Sequence, residues 1–287
     1  VDLVYIDPPF ASGADYAKKV YIRQNPKIAQ AIEQAQIEMG EDFQSFEEKM
    51  YGDIWNKEDY LNWMYENLTA IKSIMSENAS IYVHLDWHIG HYVKILMDEI
   101  FGEDNFLNEI IWKYATSGAY ENSYARNNDR IFLYTKQPID SKEYCFNQIG
   151  YFDEYDYLRK KENGQKIIED GGEKYYFYNK EKRTFYKQMT EVWIDIEKIK
   201  RDGNEIIGYA TQKPEALLER IIKASSNENM LVADFFGGSG VAAAVAHKLG
   251  RKFIHCDIGI NSIQTTRDRL KALNSSFDIL EIKDGIE

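Results

Sequence analysis

Leu231-Val232-Ala233-Asp234-Phe235-Phe236-Gly237-Gly238-Ser239-Gly240 decides how this chain folds. The mostly apolar run 231–236 predicts a strand. The glycines behind it permit a sharp turn and a close backbone approach to a ligand, and Val241–Leu249 reads as the helix this turn opens. A second strand is expected at Phe253–Ile258 and a second helix at Ser262–Leu273. Strand, helix, strand, helix implies parallel strands joined by crossover helices, a doubly wound and mostly parallel α/β sheet.

Asp257 closes the second of these strands, 23 residues after Asp234. In nucleotide-type folds a carboxylate at that place accepts hydrogen bonds from ribose hydroxyls. The pair suits any adenosine-bearing cofactor, NAD and S-adenosylmethionine alike. The glycine spacing departs from G-x-G-x-x-G and no P-loop lysine follows, which argues against dinucleotides and triphosphates. A tight strand-to-helix turn holding no ligand is the plain alternative.

At the other end of the chain, Leu3-Val4-Tyr5-Ile6 predicts another buried strand, and Asp7-Pro8-Pro9-Phe10 follows at its carboxyl end. Open α/β sheets place their chemistry there. Two prolines fix the backbone and remove two donors, so the Pro8 carbonyl is available to a ligand. A carboxylate and a carbonyl that accept both N–H bonds of a base amine would favour a pyramidal nitrogen with a localised lone pair. Phe10 offers a flat face for a base flipped out of its duplex. Asp-Pro-Pro on its own is also a common turn.

Between these ends the pattern is uneven. Helices are expected at Ala29–Met39, from Glu58 to about Asn78, and from Asp86 or Trp87 to about Ile100 with Asp86 as N-cap. Strands are expected at Ser80–Leu85 and Arg130–Thr135. Residues 137–208 crowd Tyr and Phe with Lys and Glu and read as an inserted, partly β module. Helical order returns at Pro214, with Leu217, Leu218, Ile221 and Ile222 on one face. The expected organisation is therefore 1–136 (with a possible lid at 11–57), 137–208 and 209–287.

With 287 residues and 44% hydrophobic content the chain can bury a full core. No apolar run approaches the ~20 residues of a membrane span. Two cysteines, Cys145 and Cys256, give no disulfide framework, which fits a reducing cytoplasm. The chain opens inside an apolar stretch without Met, so a missing native N-terminus is expected. The net charge is −12, and duplex binders usually carry a basic footprint. The excess is local: residues 1–111 hold 8 basic and 20 acidic side chains, whereas 112–205 hold 17 of each.

Taken together, these segments resemble the β-group of DNA adenine-N6/cytosine-N4 amino-methyltransferases, which include the modification enzymes of restriction systems. The likeness rests on order: Asp7–Phe10, then the variable 137–208 segment, then Phe235–Gly240. Thr211-Gln212-Lys213-Pro214, Phe106–Trp112 and Val192–Asp195 also resemble the group's signatures. The resemblance implies a class I S-adenosylmethionine-dependent fold with circularly permuted motifs, acting on double-stranded DNA. It implies that Asp7, Pro8, Pro9 and Phe10 grip and stack the target base. Asp234, Phe235, Phe236, Gly237, Gly238, Ser239 and Gly240 would line the cofactor pocket, Asp257 would bind ribose, and Thr211, Gln212 and Lys213 would close over the cofactor. Asp at position 7 favours adenine N6, although cytosine-N4 enzymes with Asp exist. A homodimer or a restriction-subunit partner is compatible with it, as is a DNA-binding subunit that needs a partner for activity.

Three further groups of residues bear on the chemistry. His84-Leu85-Asp86-Trp87-His88-Ile89-Gly90-His91 offers metal-ligating side chains, but reads better as a strand end and helix start, so no metal is expected. Neither cysteine follows a proline, which leaves the covalent cytosine-C5 route without a nucleophile. Lys113, Arg159, Lys160, Lys161, Lys180, Lys182 and Arg183 are the candidates for phosphate contacts, with a solvated charged face as the alternative. The aromatic residues from Tyr151 to Tyr186 either stack bases or form the core of the insertion.

Overall fold

A computed structural model describes residues 1–9, 57–115, 122–141, 143–153, 178–179, 184–199, 205, 207, 209 and 211–281. The helix expected at 29–39 and Phe10 lie outside the described residues.

Among the described residues, the main sheet has seven strands in the order β10-β9-β1-β2-β4-β3-β8. They are β1 (Leu3–Ile6), β2 (Ser80–Leu85), β3 (Phe106–Lys113), β4 (Asn128–Thr135), β8 (Val192–Trp193), β9 (Leu231–Asp234) and β10 (Lys252–His255). Only β4 runs against the others, pairing antiparallel with both β2 and β3. β5 (Gly150–Asp153), β6 (Tyr178–Asn179) and β7 (Thr184–Gln188) form a separate antiparallel sheet within 137–208. β8 comes from the same span yet pairs with β3, setting Trp193 opposite Trp112.

Alternation along β1 explains its unbroken apolar run. Leu3 and Tyr5 enter one core with Leu217, Leu218 and Ile221 of α3 (Glu215–Ser225) and Val245 of α4 (Val241–Lys248). Val4 and Ile6 enter the other core with Met64 and Leu68 of α1 (Lys57–Ile74) and Val93 and Met97 of α2 (Gly90–Phe101). All four β1 residues are at most 1% exposed, as expected for a strand covered by helices on both faces. A fifth helix, α5 (Ile260–Ala272), packs on α4. No described helix is long and apolar enough to cross a membrane.

Some element boundaries depart from the sequence reading. α2 begins at Gly90, and Asp86 is not its N-cap. The short Asp86 side chain turns instead onto His88, accepting from its N–H at 2.9 Å and pairing with its Nδ1 at 2.6 Å. Such Asx bonding competes with helix entry and inserts one turn first. α1 ends at Ile74, short of Asn78. β9 and β10 are shorter than expected, which leaves Asp257 two residues beyond the end of its strand.

Candidate active site

The parallel strands β1, β2, β9 and β10 end on one edge of the sheet. The chain crosses over in opposite directions from β1 and β9, and a crevice opens where those directions part. Asp7 leaves β1 there, Asp234 ends β9 beside it, and Asp257 follows β10.

The glycine turn is held by backbone bonds. Gly237 N–H donates to Cys256 O at 3.0 Å, Gly240 N–H to Gly237 O at 2.8 Å, and Ala244 N–H to Gly240 O at 3.0 Å. Gly238 and Gly240 have φ of +48° and +70°, left-handed values that glycine adopts without penalty. Asp257 secures the turn from β10, accepting from Gly238 N–H at 2.8 Å and from Gly259 N–H at 2.7 Å. Gly237 packs directly on His255. Nε2 of that ring lies 3.2 Å from Ser262 Oγ and 3.2 Å from Thr266 Oγ1. Ser262 donates its own proton to Gly238 O and can therefore only accept from Nε2, while Nδ1 is buried and has no hydrogen-bond partner among the described residues. Burial holds the His255 pKa below the ordinary histidine value, against a smaller opposing pull from Asp257.

Asp234 is 3% exposed and accepts from Phe236 N–H at 3.1 Å. Burial, with Asp7 and Asp257 nearby, pushes its carboxyl pKa well above the usual range despite the Phe236 bond and Lys213. Phe235 and Phe236 are half-buried against the α1–α2 core, and Trp63 meets the Phe236 ring edge-on at 5.5 Å. Ser239 is buried, and its carbonyl accepts from Arg269 at 3.2 Å.

Lys213 reaches Asp7. Its ammonium pairs with Oδ2, while Oδ1 is buried and has no hydrogen-bond partner among the described residues. Gln212 fastens the approach, donating to Glu205 O at 2.7 Å and accepting from Ile207 N–H at 3.2 Å. Thr211 is exposed, and the Tyr209 ring lies over Gly238. Lys113 is exposed at the end of β3. Arg159, Lys160, Lys161, Lys180, Lys182 and Arg183 lie outside the described residues.

Beneath Asp7 runs a buried polar chain absent from the sequence reading. Tyr5 Oη lies 2.8 Å from His84 Nδ1, His84 Nε2 lies 3.2 Å from Asp129 Oδ2, and Tyr114 donates to Asp129 Oδ1 at 2.9 Å. Burial raises the Asp129 pKa, but the bond and charge of His84, with Lys198 and Lys213, outweigh it and hold the carboxyl below its ordinary value. Lys198 lies 3.5 Å from the Tyr114 ring centre, and burial lowers its pKa. Only the alternation of β1, β2 and β4 could have hinted at this chain, because it puts Tyr5, His84 and Asp129 on core-facing positions.

The profile of the DNA methylase family, which spans N6 and N4 methyltransferases, matches residues 1–268. The chain belongs to this family. The methylase is 26% identical over 289 residues to the DNA adenine methyltransferase YhdJ of Escherichia coli K12, covering 99% of this chain and 81% of YhdJ. Across the first three curated relatives it spans 64%, 81% and 45% of their lengths. Among solved structures, it resembles the cytosine-N4-specific PvuII DNA methyltransferase (TM-score 0.55, 14% identity, 100% of this chain and 81% of that one). It also resembles M1.HpyAVI in complex with SAM (TM-score 0.51, 16% identity, 94% and 88% covered). These likenesses agree with the doubly wound α/β fold of this DNA methylase.

Proposed function

We propose that this DNA methylase transfers a methyl group from S-adenosylmethionine to the N6 amine of an adenine flipped out of duplex DNA. The observation that carries the reading is Asp7 Oδ1, a buried acceptor with no partner among the described residues, at the carboxyl end of β1, whose neighbour β9 leads into the glycine turn.

The residues fit the methyl donor. Asp234 is a buried carboxyl whose pKa is raised first by burial and then by Asp7 and Asp257; a cation beside it would favour its ionised form, and the donor's ammonium and sulfonium are cations. Asp257 retains lone pairs beyond its two amide bonds for ribose hydroxyls. Trp63, Phe236 and Tyr209 supply flat apolar surface about the turn. When bound, S-adenosylmethionine supplies a methyl made electrophilic by the sulfonium and departs as a neutral thioether.

The rest of the work falls to the chain. Asp7 Oδ1 and the Pro8 carbonyl each accept one N–H of the target amine, drawing its lone pair out of ring conjugation. Positive charge developing on that nitrogen is met by the Asp7 carboxylate, and one amine proton is released toward it or to water. Positioning and electrostatics carry the rate, with no covalent step on the protein.

Incubation with labelled S-adenosylmethionine and duplex DNA, followed by digestion to nucleosides, should yield labelled N6-methyladenine. No labelled nucleoside with any duplex would remove the reading. Asp7→Ala should abolish turnover and leave cofactor affinity within about threefold. A cytosine-N4 activity is the second reading, favoured by the likeness to the cytosine-N4-specific PvuII enzyme, and N4-methylcytosine in the same digest would establish it.

A further inference from the structure

We infer that Lys213 is a positioning residue for methyl transfer: by holding Oδ2 of Asp7 it fixes the carboxylate so that Oδ1 faces the target amine. The inference rests on the methylation reading and adds a residue that acts through Asp7.

An aspartate carboxylate turns easily about χ2, since its two orientations are nearly equivalent. An acceptor that must meet one N–H of a flipped base therefore needs an anchor. Lys213 supplies it from 206 residues away along the chain. Both partners are mostly buried, with side-chain exposures of 14% for Lys213 and 16% for Asp7. The carboxylate is thereby divided, with Oδ2 taken by the ammonium and Oδ1 buried with no partner among the described residues.

The segment from which Lys213 reaches is anchored on both sides. Pro214 biases the residue before it toward extended backbone and opens α3, whose Leu217, Leu218, Ile221 and Ile222 are fully buried. Gln212 ties the other side to Glu205 and Ile207. The same ammonium is close enough to lower the carboxyl pKa of Asp129 and to oppose the rise at Asp234. It is thus positive charge shared among three acidic groups on one edge of the sheet. A buried ion pair is a weak device for stability alone, which fits a pair retained for geometry.

The test uses the full chain, with Lys213→Met and Lys213→Arg beside wild type. Calorimetry gives S-adenosylmethionine affinity, and single-turnover methylation is measured at saturating cofactor and duplex. Lys213→Met should lower the methylation rate about 100-fold, the usual scale for an ångström of misplacement, with cofactor affinity within about threefold. Lys213→Arg, which keeps the charge, should recover to within about tenfold of wild type. An unchanged rate in Lys213→Met overturns the inference. So does a tenfold loss of cofactor affinity with a normal saturated rate, which would make Lys213 a cofactor ligand. If Lys213→Met melts below the assay temperature, Lys213→Gln replaces it, and collapse of both marks a structural residue and overturns the inference. A wild-type protein that methylates no duplex removes the methylation reading, and this inference with it.

Discussion

Replacing Gly237 with Ala tests the packing that joins the glycine turn to the second strand of the cofactor side. A Cβ there would lie 2.0 Å from His255 Nδ1 and 2.3 Å from Cε1. The ring must retreat by roughly 1.4 Å to restore van der Waals contact near 3.4 Å. Retreat disturbs the contacts of Nε2 with Ser262 and Thr266, worth about 1 kcal/mol each. Overpacking adds about 1–3 kcal/mol. A total of about 3–5 kcal/mol should lower the melting temperature by roughly 10 °C in a chain of this size. Scanning calorimetry on wild type, Gly237→Ala, His255→Ala and the double variant provides the assay. With the imidazole gone the new methyl has room, so Gly237→Ala should cost under about 0.5 kcal/mol in the His255→Ala background. A melting point within 1–2 °C of wild type, or an equal loss in both backgrounds, refutes the steric argument.

His255 also bears on acid stability. Its folded pKa lies below the unfolded value near 6.5, so the unfolded chain takes up the proton first and stability declines as pH falls below about 6.5. Urea melts at pH 7.5 and 5.5 should show this decline, smaller in His255→Ala. Asp234 predicts that affinity for a cationic cofactor strengthens as pH rises, because the carboxyl must shed a proton to receive positive charge. Titration calorimetry at pH 6 and 8 should show it, with Asp234→Asn flat across the range. Trp112→Phe removes an indole N–H that donates to Ile196 O at 2.7 Å and should cost about 1–3 kcal/mol by urea denaturation.

The strands that a reader of the sequence can find are those buried on both faces. β1, β2 and β9 are short apolar runs because helices cover each side of them, and the glycine turn follows from the abrupt end of β9. β3 is harder, since Asn108 and Glu109 interrupt its apolar pattern and the register shifts between Phe106 and Asn108. β8 has two residues, too few for any periodicity, and is recognisable only through its pairing with β3. Asp86 shows how a local side-chain bond can mimic a cap, for the same acceptor serves a turn or a helix start. The acidic residues of the site could be named one by one from their places at strand ends. Their electrostatics could not, because the Tyr5–His84–Asp129–Tyr114 chain and the Lys213–Asp7 pair join segments with no local pattern in common.

The pairing of β1 with β9 also governs when the site can exist. Asp2 accepts from Leu231 N–H across 229 residues of sequence, and the two strands bring Asp7 beside the glycine turn. Closing so long a loop is entropically slow, and its cost must be met before the contacts that reward it form. During synthesis β1 therefore stays in the growing chain with one edge unpaired until the segment that carries β9 has emerged. In that interval Asp7 and the glycine turn lie on separate parts of the chain, and the crevice between β1 and β9 is incomplete.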